Sequence, residues 1–174
     1  ILARPYPYVG NTNIDLSVYA LTLQNGKGTK VIVNQDDLKY FGGAIFVYKG
    51  DNVRIKYNRF NYNGSISTIK GGALFLSNSD DIDFNDRRSE NNLLSETREE
   101  FILSYNIFDG NFAIIAKSIY IDYSNLSINV SNGYFDVYDC VNNYVTPYWI
   151  FGGDNVNFDF ANANGELCSI SNDI

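Results

Sequence analysis

The chain has 174 residues, a length that suits one domain, and its 45% hydrophobic and 16% aromatic content is enough for a packed core. Twenty acidic against thirteen basic residues give a net charge of −7 with no Lys/Arg cluster, which argues against nucleic acid as a partner. There is no His, so the commonest general base and metal ligand is missing, and no run approaches eighteen apolar residues, so no membrane span is expected.

The row opens at Ile1 and contains no Met, which fits a processed chain or a segment of a longer one. Twenty-four Asn point to many tight corners, because Asn tolerates left-handed backbone and bonds its neighbours. Helical patterning is nearly absent. Apolar residues alternate in short runs bounded by Asn, Gly, Asp and Ser, as in strands.

Taken in chain order, Val18 to Leu23 and Val31 to Val33 form a first pair of strand segments. Gly42-Gly43-Ala44-Ile45-Phe46-Val47 comes next and recurs 29 positions on as Gly71-Gly72-Ala73-Leu74-Phe75-Leu76. The strand after it, Val53 and Ile55, recurs as Ile82 and Phe84 after a polar turn. Alternation places Val53, Ile55 and Tyr57 inward and Arg54 and Lys56 outward. The shift then grows to 48, since Tyr57-Asn58-Arg59-Phe60 matches Tyr105-Asn106-Ile107-Phe108. The excess of 19 residues is assigned to a charged loop inserted at residues 85–104, in which Thr97 and Glu100 have the spacing of a short helix cap. The period resumes with Ser118-Ile119-Tyr120-Ile121, then Leu126, Ile128 and Val130, then Val156, Phe158 and Phe160.

A repeat near 29 residues cannot bury its apolar face alone, whereas stacked copies bury a continuous column. The expected fold is all-β: a right-handed parallel β-helix, or β-solenoid, of the pectin-lyase-like kind. It has about four to five coils in a single domain over residues 1–174. Gly42 and Gly71, Ile45 and Leu74, and Val53 and Ile82 should then stack at about 4.8 Å.

Phe60-x-x-Asn63 followed by Gly71-Gly72-Ala73-Leu74, and Phe108-x-x-Asn111 followed by Ala116-Lys117-Ser118-Ile119-Tyr120, resemble the polymorphic outer-membrane protein repeat of surface proteins. The resemblance covers about Gly42 to Ile121, and the second copy lacks both glycines. It implies a parallel β-helix with a surface, adhesive or structural role, and it names no catalytic residues. Gly42, Gly43, Phe60, Asn63, Gly71, Gly72, Phe108 and Asn111 are its structural positions.

The remaining candidates are read from the residues. Asn34-Gln35-Asp36-Asp37 resembles the paired carboxylates of polygalacturonases, and Arg54-Ile55-Lys56 resembles their substrate-binding triplet, but that family's Gly-His-Gly is absent. Asp36 and Asp37 are the catalytic pair of an alternative, polysaccharide-cleaving reading; the first reading is non-enzymatic. Asp80, Asp81 and Asp83 are a weak cation candidate with no EF-hand spacing, and no cofactor is expected. Three sequons begin at Asn63, Asn125 and Asn129, of which Asn129 lies between inward Ile128 and Val130. Tyr48, Tyr62 and Tyr123 are candidate surface aromatics for a glycan-binding alternative. Cys140 and Cys168 stand 28 apart, near one period, and are expected to form a disulfide stapling the last coils. The expected partners are further copies end to end, other surface proteins, or glycans, at the cell surface or outside the cell.

Overall fold

The structure is a computed structural model that describes residues 1–3, 14–33, 37–77, 82–83, 100–123, 126–135, 150–152, 157–159 and 170–171. Among these residues every regular element is a strand and none is a helix, so the chain is all-β.

The chain lays down its strands in repeated circuits. The first holds β1 (Leu2–Ala3), β2 (Ile14–Tyr19) and β3 (Thr22–Gln24), followed by β4 (Thr29–Val33) and β5 (Asp37–Phe41). The second holds β6 (Ile45–Tyr48), β7 (Gly50–Lys56), β8 (Arg59–Asn61) and β9 (Thr68–Lys70). The third holds β10 (Leu74–Ser77), β11 (Ile82–Asp83), β12 (Glu100–Ile102) and β13 (Ile107–Asp109). Then come β14 (Ile119–Asp122), β15 (Ser127–Asn129) and β16 (Tyr134–Phe135), and finally β17 (Ile150–Gly152), β18 (Asn157–Asp159) and β19 (Ile170–Ser171).

Equivalent strands pair in parallel. A first sheet runs β1-β6-β10-β14-β17-β19, a second β2-β7-β12-β15-β18 and a third β3-β8-β13-β16. Ile45 is the register partner of Leu74, and Leu74 of Ile119, as the repeat requires. Phe60 pairs with Phe108 and Phe108 with Phe135. A fourth, mixed sheet joins β11, β4, β5 and β9, with β4 and β5 forming an antiparallel hairpin.

The corners are left-handed residues repeated at equivalent places. Lys49 leads from the first sheet to the second, and Ala20, Tyr57, Tyr105 and Asn132 lead from the second to the third. Asn25, Tyr62 and Gly110 leave the third, while Gly42, Gly71 and Ala116 lead back to the first. A left-handed conformation costs a non-glycine residue about 1–2 kcal/mol. Hydrogen bonds between circuits offset that cost: the Tyr105 N–H donates to Ser131 O at 3.0 Å, and the Gly71 N–H to Ile115 O at 3.0 Å.

The side chains between the sheets stack in columns. Phe60, Phe108 and Phe135 lie face to face with centroids 5.0 Å apart and planes within 7°. Ile45, Leu74 and Ile119, with Val53 and Phe101, fill the same buried cluster. On the other face of the first sheet, Phe46, Phe75 and Tyr120 form a second stack. The hairpin residues Val31 and Phe41 pack into that cluster, which explains why an outward row of aromatics is buried. Next to it Ser118 stands in the column of Ala44 and Ala73, and its buried hydroxyl has no partner among the described residues. Ser118→Ala should therefore leave stability unchanged or raise it by about 1 kcal/mol in a denaturant titration; a loss above about 1 kcal/mol would show that the hydroxyl has a bond this account omits.

Five expectations need correction. The strand that pairs with Val53 is Phe101 of β12, not Ile82. Ile82 instead pairs antiparallel with Val33. The inserted length is the same, but it falls between Ser77 and Glu100 rather than at residues 85–104, because Phe101 to Tyr105 belong to the repeated circuit. Glu100 accordingly begins a strand and does not close a helix cap. Tyr57 is 58% exposed, because it occupies a left-handed corner where strand alternation no longer holds. Val31 to Val33 belong to the covering hairpin rather than to one of the three parallel sheets.

Candidate functional site

The residues that carry the repeat are committed to holding circuits together. Asn58 and Asn106 form one ladder: the Asn106 side-chain oxygen accepts from the Asn58 N–H at 3.0 Å, and its amide donates to Ile55 O. Asn63 and Asn111 form a second, in which the Asn111 side-chain oxygen accepts from the Asn63 N–H at 3.0 Å and its amide donates to Phe60 O at 2.9 Å. Each Asn thus satisfies backbone groups at a corner where the strand ladder is interrupted.

Asn63 is 1% exposed, and its amide nitrogen donates to Leu23 O at 2.8 Å and to Asn111 Oδ1 at 3.1 Å. Both amide hydrogens of Asn63 are thus engaged, and a glycan on that nitrogen would take the place of one of them. Asn125 lies outside the described residues. Asn129 is partly exposed in β15, and its Oδ1 accepts from the Ser131 N–H at 2.9 Å and the Ser131 hydroxyl at 2.6 Å.

Of the paired carboxylates, Asp36 lies outside the described residues and Asp37 starts β5, opposite Val33 in the hairpin. Arg54 and Lys56 stand on β7 in the second sheet, a different sheet from Asp37. Asp80 and Asp81 lie outside the described residues, and Asp83 is in β11 opposite Ile32. Cys140 and Cys168 also lie outside them. Tyr123 is buried, not a surface aromatic: its hydroxyl accepts from the Gly50 N–H at 3.0 Å and donates to Gly50 O at 3.1 Å. Tyr48 is half-buried beside the second cluster, whereas Tyr62 is 63% exposed.

What does reach solvent is the outer face of the third sheet and the corner before it. Phe60, Phe108 and Phe135 point inward, so their strand neighbours Arg59, Ile107 and Tyr134 point outward in one row. Beside this row Tyr57 and Tyr105 stack on one another, with centroids 4.8 Å apart and planes at 23°. Tyr57, Tyr105, Ile107 and Tyr134 are all exposed and together make an apolar seam. Its polar border includes the pair between Arg59 and Asp109 at 3.3 Å. That pair is solvent-exposed and adds little stability. The Tyr57 and Tyr105 rings each cover one face of the other. Alternation alone missed this seam; the repeated Tyr-Asn pairs at Tyr57-Asn58, Tyr62-Asn63 and Tyr105-Asn106 are the signal that marks its corners.

Elsewhere, the Lys70 ammonium donates to the Tyr120 hydroxyl at 2.8 Å. Burial, with a smaller contribution from Asp122, holds the Tyr120 phenol well above its usual range. That group stays neutral and structural. Among the described residues no group of three His, Cys, Asp or Glu is placed to hold a metal ion, and no helix is long and apolar enough to cross a membrane.

Fold and surface together define an all-β protein of in-register parallel sheets. Comparison with family models, with curated proteins and with solved structures gave no match.

Proposed function

We propose that the chain is a right-handed parallel β-helix module with a non-enzymatic structural or adhesive role at the cell surface, akin to the polymorphic outer-membrane repeats. The observation that carries this reading is the use of the motif residues. Phe60 and Phe108 form an interior stack, Asn63 and Asn111 bond successive circuits, and Gly71 turns back to the first sheet. The repeated residues of such a chain therefore serve the scaffold, and contact with partners falls to outward side chains. The Tyr57–Tyr105–Ile107–Tyr134 seam is the contact surface in this reading. Among the described residues β2 and β3 are the outermost strands of their sheets, with Tyr19 and Leu21 exposed beside them, which favours pairing with another subunit.

Two measurements test this reading. Antibody against the purified chain should label intact, unpermeabilised cells of the source; labelling only after permeabilisation would contradict it. Incubation with a panel of acidic and neutral polysaccharides should release no new reducing or unsaturated ends. A cleavage activity that is lost in Asp36→Asn/Asp37→Asn would replace this reading with the polysaccharide-acting one.

A further inference from the structure

Three sequons occur in the chain, and the structure separates two of them by what their amide nitrogens do. At Asn63 the nitrogen is buried and donates to two groups on other circuits, 40 and 48 residues away in sequence. At Asn129 the bonds are local. Ser131, two residues on, donates to Oδ1 from both its N–H and its hydroxyl. This is an Asx turn, and it forms without any tertiary contact. The Asn129 nitrogen has no partner among the described residues, and its side chain stands on the outer face of β15 between the inward Ile128 and Val130. The outward register neighbours Ile102 and Asp159 leave that face open to solvent in part.

We propose that Asn129 is an N-glycan acceptor and that Ser131 prepares it. The co-reactant is a lipid-linked oligosaccharide pyrophosphate. The Asn129 Nδ2 attacks the anomeric carbon, the bond from that carbon to the pyrophosphate oxygen breaks, and one Nδ2 proton passes to a base of the transferase. As Nδ2 loses its proton, negative charge develops on Oδ1, where the two Ser131 donors stabilise it. The turn is already available in the nascent chain, and the glycan it receives projects from the second sheet without breaking a bond between circuits. A glycan at Asn63 would instead take the hydrogen that bonds Leu23 O or the one that bonds Asn111 Oδ1, at a buried position, so molecules carrying it do not reach this fold.

In the native cell the modification depends on the extracellular reading above. The test supplies the secretory route itself, so the two fail separately. The full chain is secreted from a eukaryotic host behind a heterologous signal sequence, and chymotryptic peptides are mapped before and after treatment with peptide N-glycosidase. The peptide containing Asn129 should be glycosylated and that containing Asn63 should not. Asn129→Gln should remove one glycan's mass from the intact protein. Ser131→Ala should do the same, with circular dichroism confirming that it still folds. An unmodified Asn129 peptide in folded, secreted protein would overturn the proposal, as would occupancy that survives Ser131→Ala or a folded protein glycosylated at Asn63.

Discussion

Gly72→Ala is expected to abolish cooperative folding. A Cβ at Gly72 would overlap the carbonyl oxygen of Lys117 and lie 2.8 Å from both the backbone nitrogen and the carbonyl carbon of Phe112. All of these atoms are main chain of the next circuit, so none can rotate away. Relief requires the circuits to part, which would break the Gly72 N–H bond to Ala116 O and its neighbours. The cost should exceed about 4 kcal/mol, a large share of the 5–15 kcal/mol that holds a typical domain. Gly133→Ala is the control. Its added Cβ would meet Val130 O at 3.1 Å and the Phe135 ring at 3.2 Å, contacts that shifts of a few tenths of an ångström relieve. Thermal unfolding should show no transition for the first variant and a modestly lowered one for the second. Equal transitions in both would mean that the circuits are not packed this closely.

Asn106→Ala should be nearly as damaging, for a different reason. The Asn106 side chain is fully buried and accepts from both the backbone and the side chain of Asn58 while donating to Ile55 O. Alanine leaves the Asn58 N–H without this acceptor, removes a partner of Ile55 O and opens a small cavity. Each buried group left unsatisfied costs about 1–3 kcal/mol, so a total near 3 kcal/mol is expected in a urea titration. Asn106→Asp keeps the shape but replaces the donor to Ile55 O with a buried carboxylate. Burial raises the pKa of such a carboxylate, so this variant should lose more stability at pH 7 than at low pH, where it is protonated. A change below about 1 kcal/mol for the alanine variant would remove the Asn ladder from the account.

The two variants probe the part of the fold that was legible in the sequence. Gly71-Gly72, Asn106 and Phe108 sit in columns where a residue meets its own type one circuit away, as Gly42-Gly43, Asn58 and Phe60, and such positions repeat visibly. The shift of 48 between Phe60 and Phe108 is the register the structure has. The strand equivalent to Val53 was misread for a physical reason. Ile82-Asp83-Phe84 alternates as Val53-Arg54-Ile55 does, whereas Phe101-Ile102-Leu103, which joins the second sheet, is an unbroken apolar run, so period two favours the wrong segment. The pairing of Ile82 with Val33 comes from a long-range contact with the hairpin that leaves no local signature. The exposed seam was missed because Tyr57 and Tyr105 continue the apolar alternation into a corner that turns them outward. Burial of Tyr123 and Asn63 was equally hidden: each is fixed by bonds to residues on other circuits, Gly50 in one case and Leu23 and Asn111 in the other.

The central claim is that equivalent strands stack in parallel and in register, one circuit per step. Engineered disulfides on the outer face of the third sheet test it most directly, in a Cys140→Ser/Cys168→Ser background. Arg59 and Ile107 are register partners on neighbouring strands, and Thr22 is the partner of Arg59 on the other side. Neighbouring strands lie about 4.8 Å apart, within the Cα separation of about 4.4–6.8 Å that a disulfide spans, whereas two strand steps exceed it. Arg59→Cys/Ile107→Cys and Thr22→Cys/Arg59→Cys should therefore cross-link on mild oxidation, and Thr22→Cys/Ile107→Cys should not. Cross-linking of Thr22→Cys/Ile107→Cys, with free thiols persisting in the two neighbouring pairs, would contradict the stacked circuits and the function proposed from them.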